Sequence, residues 1–330
     1  MPTKKSPLSV ALLGGGFGRY YHIPGLLAEP GRFKLTRFCD QDAATLKAVT
    51  EDERLKGIIG SSDYREALND PAIDAVIISL PHHLHEPVAI AAAESGKHIL
   101  VDKPIARTME EANRMIAAAE KHGVTLMTAF NQRFETRFVK IQEQLKAGSL
   151  GRVLYATSNH SQNFGGNPTW RSKAAVGGGC VIGSGVHNLD LMRWFFGEAE
   201  EVFAYAAHDA KRLEAEVAVS ASLKFKSGVV VNFICNWGVH GNHGNERWGI
   251  YGTEADLFLE DQSLGLGKAW AGKDLLTKDE AKAHHAMWAH FTDCIATGAT
   301  PLTSGRDSAK SLELVLKIYE SMETGRPAKI

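Results

Sequence analysis

The 330-residue chain is short of several things, and each shortage closes off a class of protein. It has only four cysteines, Cys39, Cys180, Cys235 and Cys294, far apart and with no CxxC pair. That pattern argues against a disulfide framework and a cysteine zinc site, and it fits a reducing compartment. Neither charge sign is in excess: 37 Lys and Arg stand against 38 Asp and Glu. A nucleic-acid binder would more often show a basic excess or stripe. No apolar run approaches the roughly 20 residues of a membrane helix. The run after Lys4 and Lys5, Val10 to Leu13, is too short for a signal-peptide core and lacks a cleavage-site pattern. There is no internal repeat, low-complexity tract or disordered linker. The expectation is a soluble cytoplasmic protein.

What is present is an ordinary apolar fraction of 44% with a strong internal order. LSVALL (8–13), KLTRFC (34–39), DAVIISL (74–80), HILV (98–101) and VTLMTAF (124–130) read as buried strands. Helix-period segments lie between them. The last, from Thr108, has Glu111 three residues on and Gly123 at its end, a capping box and a C-terminal stop. This alternation predicts an α/β Rossmann domain, a doubly wound parallel sheet covered on both faces. After about residue 150 the runs lengthen and alternate. Val217, Val219, Ala221, Leu223 and Phe225 share one strand face, and Ser227-Gly228 is a hairpin signal. This half predicts an α+β domain with an open, mostly antiparallel sheet, then helices at roughly 281–297 and 306–323. The expected domains are 1–130, for a dinucleotide, and 131–330, for substrate and oligomer contacts, with the C-terminal helices packing back on the first.

GGGFGR (14–19) follows the first strand and opens a helix. Gly14 and Gly16 match the first two glycines of GxGxxG, which allow a tight turn and close approach of backbone N–H groups to a pyrophosphate. Phe17 and Gly18 complete the loop, and Arg19 stands where the third glycine would be. Asp40, ending the second strand, is placed to accept hydrogen bonds from the adenosine ribose. It would repel a 2′-phosphate, so NAD is expected over NADP, with Arg19 and Arg37 as the residues that soften this preference. Pro24 is expected to kink or shorten the helix.

Ligands of such sheets bind beyond the carboxyl ends of the strands. Polar clusters fall at three of these ends: Ser79 to His85, Asp102-Lys103-Pro104, and Asn131-Gln132-Arg133. A lysine there is suited to polarising a carbonyl. His82 and His85 have useful metal spacing but no carboxylate or cysteine pair nearby, and His240 and His243 are no better, so no metal is expected. One further segment stands out. GGGCVIGSGVHNLD (177–190) has five glycines in nine residues, then His187 and Asp190. Glycines at that density weaken any helix or strand.

Taken with FNQRF and YGTEADLFLED (251–261), these motifs resemble the Gfo/Idh/MocA oxidoreductases, in order and over nearly the whole chain. The resemblance implies a Rossmann domain followed by an open-sheet domain whose outer face makes oligomer contacts, as a homodimer or homotetramer. It implies an NAD(P)-dependent dehydrogenase or reductase acting on CH–OH groups of sugars, cyclitols or their derivatives. By position, Gly14, Gly16, Phe17, Gly18 and Arg19 would hold the pyrophosphate and Asp40 the ribose. Ser79, Leu80, Pro81, His82, His85, Asp102 and Asn131 would line the rest of the cofactor. Lys103 would sit by the reacting carbon. Gln132, Trp170, Arg171, Gly183 and His187 would border the substrate. His187 is the expected acid/base, with Lys103 polarising the oxygen. Relatives usually carry an aspartate at position 183. Here Asp190, a group of the substrate, or nothing replaces it, or the glycine makes room for a larger substrate. Two other functions stay open on the sequence: an NAD-retaining enzyme that cleaves glycosides by transient oxidation and elimination, and a non-catalytic sensor of dinucleotide and sugar.

Overall fold

The computed structural model describes residues 7–164, 169–240, 246–260, 263–267, 273–275 and 286–330. The chain divides into two compact units, residues 1–130 with 284–309 and residues 131–283 with 310–330.

The first unit is built on six parallel strands: β1 (Leu8–Leu13), β2 (Phe33–Cys39), β3 (Ile59–Ser61), β4 (Ala75–Ile78), β5 (His98–Val101) and β6 (Leu126–Thr128). Their order is β3-β2-β1-β4-β5-β6. The central strands are apolar on both sides because helices cover both faces. Val10 to Leu13 and Ala75 to Ile78 are fully or almost fully buried. The edge strand β3, Ile-Gly-Ser, has no apolar run, which is why the pattern misses it. The helices of this unit are α1 (Gly18–Leu27), α2 (Ala43–Thr50), α3 (Tyr64–Asn69), α4 (His85–Glu94) and α5 (Met109–His122). Helix α5 starts and stops where its caps predict. Thr108 accepts a hydrogen bond from the Glu111 N–H at 3.2 Å, and Gly123 takes the left-handed conformation. Helix α1 continues through Pro24 to Leu27. Strand order reverses between β1 and β4, the crevice where sheets of this kind bind ligands.

The second unit carries α6 (Thr136–Lys146) and α7 (Val186–Phe196) beside a nine-stranded mixed sheet. Its strands are β7 (Val153–Ser161), β8 (Ala199–Ala207), β9 (Ala218–Phe225), β10 (Val230–Asn236), β11 (Glu246–Gly252), β12 (Asp256–Glu260), β13 (Ser263–Gly267), β14 (Lys273–Asp274) and β15 (Ala328–Lys329). Pairing is antiparallel except between β7 and β10. The predicted alternation holds in β9: Val219, Ala221, Leu223 and Phe225 are buried, and the residues between them are exposed. The β9–β10 hairpin turns at Gly228, whose φ of 87° suits a glycine. Helices α8 (Ala286–Thr297) and α9 (Gly305–Thr324) match the predicted C-terminal pair, although 281–285 lie outside the described residues, as does His243. Among the described residues no helix is long and apolar enough to cross a membrane.

Candidate active site

In the first unit the glycine loop joins β1 to α1. Gly14 has a φ of +98°, and a Cβ there would lie 2.2 Å from the Ser79 carbonyl oxygen. Only glycine fits that turn. Gly16 is the opposite case: a Cβ on it would meet nothing within 4 Å. Its backbone borders open space at a helix N-terminus, as a pyrophosphate requires. Sequence spacing puts Arg19 in the third glycine's place, but Gly18 does that work. A Cβ on Gly18 would lie 3.0 Å from Ser79 Cβ, so it packs α1 close to the sheet. Asp40 accepts hydrogen bonds from the Gly15 N–H at 2.6 Å and the Asp42 N–H at 2.8 Å, which fixes its carboxylate beside the loop. Of the two arginines expected to favour a 2′-phosphate, Arg37 is engaged elsewhere and Arg19 stays beside the loop. Arg37 pairs with Asp70 at 2.7 Å, and Arg19 lies over the Tyr20 ring and donates to its hydroxyl.

Beyond β4 and β5, Ser79 donates to Asp102 Oδ2 at 2.5 Å, and Asp102 Oδ1 lies 2.8 Å from His22 Nε2. Burial works against the Asp102 charge. His22, Ser79 and nearby His85 outweigh it and hold the carboxyl below its ordinary range. His85 was expected to line the cofactor. It is fully buried instead, with its ring nitrogens 2.9 Å from the Leu80 and Pro104 carbonyls. It ties the loop after β4 to the loop after β5, and that burial lowers its pKa. His82, also buried, lies edge-on to it. Leu80, Pro81 and Lys103 are half-buried.

In the second unit, Asn131 to Phe134 form a short 3-10 turn in which Asn131 donates to Glu135 at 3.0 Å and Gln132 is buried. Trp170 and Arg171 open another, with the guanidinium 4.6 Å from the indole centroid. The glycine-rich segment enters α7 through a wide π turn, Val181–Gly185. Such turns recur at functional sites. The α-helical spacing that would align 183, 187 and 190 therefore breaks at its first step.

The volume beside Gly183 is not left for a larger substrate. A Cβ there would lie 2.4 Å from Trp237 Cη2. The Trp237 indole donates to Ser184 Oγ at 3.0 Å and stacks on Phe164 at 4.1 Å. Gly185 likewise admits Phe233, and Gly179 admits the buried Glu216 carboxyl. Glu216 accepts from the Val181 N–H at 3.0 Å and from the Tyr319 hydroxyl at 3.1 Å. Burial pushes its carboxyl up. Asp190 is no solvated charge. It is buried, held bidentate by Arg133 at 2.7 Å for both bonds, and accepts from Ser311 at 2.8 Å. Arg193 pairs with Glu198. From Gly185 to Arg193 His187 is the one residue that is not buried.

Comparison with known proteins decides the family. The oxidoreductase family with an NAD-binding Rossmann fold matches residues 8–130, and the GFO/IDH/MocA C-terminal domain matches 138–258. The chain belongs to the Gfo/Idh/MocA family. Proteins similar to it over most of their length include the scyllo-inositol 2-dehydrogenase (NAD(+)) of Bacillus subtilis, 27% identical over 97% of this chain and 95% of that protein. The levoglucosan dehydrogenase of Pseudarthrobacter phenanthrenivorans is 28% identical over 76% of this chain and 73% of its own. Among solved structures, the aldose-aldose oxidoreductase of Caulobacter crescentus complexed with glycerol superposes with a TM-score of 0.87, at 26% identity, over 98% of this chain and 100% of that one. As a Gfo/Idh/MocA member the chain is an NAD(P)-dependent oxidoreductase, with its dinucleotide fold in the first unit.

Sequence reasoning overlooked His22, Trp237, Glu216 and Tyr319. A signal existed for two of them. Trp237 continues the buried parity of Val231, Phe233 and Cys235, and His22 stands at helical spacing from Gly18, Gly25 and Leu26 on the buried face of α1. Nothing in the sequence marks Glu216 and Tyr319 as partners.

Proposed function

We propose that this chain uses NAD to oxidise, or NADH to regenerate, a secondary hydroxyl on a sugar or cyclitol. His187 exchanges the hydroxyl proton and Lys103 carries positive charge to the substrate oxygen. The observation that carries this reading is that His187 alone is half-buried on a stretch otherwise buried from 185 to 193. An imidazole left half-buried on such a stretch suits a proton-exchanging group whose ordinary pKa is near neutrality. Lys103, half-buried at the end of β5, suits stabilisation of a developing alkoxide. The residues fit a dinucleotide: Gly16 supplies an open backbone face, Asp40 a fixed carboxylate, and Ser79 and Asp102 hydrogen-bonding groups beyond β4 and β5. When bound, the nicotinamide supplies the hydride acceptor. With Arg37 engaged by Asp70, Asp40 favours NAD over NADP.

Asp190 supports His187 through the helix: its bidentate arginine and serine hydroxyl pin α7 one turn beyond the imidazole. The names of the relatives put inositols, anhydrosugars and aldoses first among substrates to try. The test is NADH formation from NAD with a panel of inositols, free hexoses, glycosides and sugar phosphates. Turnover with one class is expected, reduced by about 10²–10⁴ in His187→Ala. Full turnover in that variant would overturn the assignment of His187.

A further inference from the structure

His22 lies on the helix that follows the nucleotide loop, yet its imidazole is fully buried. A buried ring of this kind needs a partner at each nitrogen. Nε2 lies 2.8 Å from Asp102 Oδ1, and Nδ1 lies 3.3 Å from Trp288 Nε1. An indole N–H only donates, so Nδ1 accepts and the ring proton sits on Nε2, aimed at Asp102. Ser79 occupies the other carboxylate oxygen. Trp288 comes from α8, 266 positions away in sequence, and it is seated against Gly25. A Cβ at position 25 would lie 2.4 Å from the indole, so the close approach of α8 to α1 requires glycine there.

We propose that His22, its tautomer set by Trp288, is a positioning residue that orients Asp102 for the nicotinamide-nucleoside half of the cofactor. Topology assigns the half. The glycine loop ends β1 and holds the pyrophosphate, and Asp40 ends β2 on the adenosine side. Ser79 and Asp102 follow β4 and β5, across the reversal of strand order, so the rest of the ligand lies over them. Asp102 keeps 16% of its side-chain exposure and His22 keeps none. The Asp102 side chain keeps access that the imidazole lacks, and the imidazole acts through it. This rests on the dinucleotide placement argued above.

The test is calorimetric titration of the full chain with NADH and, separately, with ADP, which lacks the nicotinamide nucleoside. Wild type is expected to bind both. His22→Leu removes a hydrogen bond to a charged group and is expected to lose about tenfold in NADH affinity with ADP affinity unchanged. His22→Gln, whose amide N–H reaches the place of Nε2–H, is expected to recover most of that loss. Trp288→Phe keeps an aromatic ring against Gly25 but drops the donor, and it is expected to lose less, again for NADH alone. Parallel losses for both ligands would make His22 a mere prop of the fold and overturn the proposal, as would unchanged NADH affinity. If wild type binds neither ligand, the dinucleotide placement fails and the proposal with it. Should His22→Leu not fold, Trp288→Phe and the nitrogen NMR shifts of the wild-type imidazole carry the test. A proton on Nδ1 would overturn it.

Discussion

The chain has two glycine-rich segments, 14–18 and 177–185, that look alike in composition and differ in what stands where a side chain would be. Beside Gly16 there is nothing within 4 Å. Beside Gly183 stands Trp237, beside Gly179 Glu216, and beside Gly185 Phe233. At Gly16 the first segment keeps its vacated volume open to a ligand, while Gly14 and Gly18 pack against Ser79. The second gives that volume to the protein's own side chains, and so lets the turn before His187 settle on β10. Glycine richness marks close approach, and only the structure says what approaches.

The contrast breaks most severely at Gly14. Gly14→Ala forces a side chain to a φ of +98° and against the Ser79 carbonyl. A loss of about 3 kcal/mol in unfolding free energy is expected from strain and overpacking together. Denaturant melts read it, and a wild-type midpoint would show that the loop relaxes freely. Gly183→Ala comes next, at about 2 kcal/mol, because its Cβ meets only the far edge of the Trp237 ring. Adding Trp237→Phe, which lacks those atoms, is expected to restore part of the loss. A double-mutant cycle measures that coupling, and strictly additive effects would show that the two residues do not share the volume. NADH affinity is expected to stay unchanged in Gly183→Ala.

The same contrast explains how much was legible in the sequence. Strands β1, β4, β5 and β6 were readable because burial on both faces demands continuous apolar runs, and α5 because its caps are local. The glycine loop and Asp40 were placeable because they lie within one strand–helix–strand unit, β1-α1-β2. Edge strand β3 carries no apolar signal. The partners of Gly179 and Gly183 lie 37 and 54 positions away. Position 183 therefore looked like a lost carboxylate or a widened pocket, although Trp237 fills it. His85 looked like a cofactor ligand because it follows a strand end. Its spacing could not reveal that its ring turns inward to two carbonyls.

Two smaller effects sharpen the comparison. Gly16→Ala adds a Cβ that touches no protein atom, so stability is expected to stay within about 0.5 kcal/mol. NADH affinity is expected to fall about tenfold, the sign of a volume meant for a ligand. An unfolding midpoint that moves while affinity holds would reverse the roles given to the two segments. The smallest effect is a slope. Burial raises the Glu216 carboxyl pKa, so the folded protein holds that proton more tightly than the unfolded chain. Its contribution to stability is complete below the unfolded carboxyl's range and declines as pH rises through the folded value. Glu216→Gln keeps an acceptor for the Val181 N–H and cannot ionise. Its unfolding free energy is expected to decline less than wild type as pH rises above the usual carboxylate range. Parallel pH profiles would mean that Glu216 is ionised in the fold, and that Gly179 makes room for a charge.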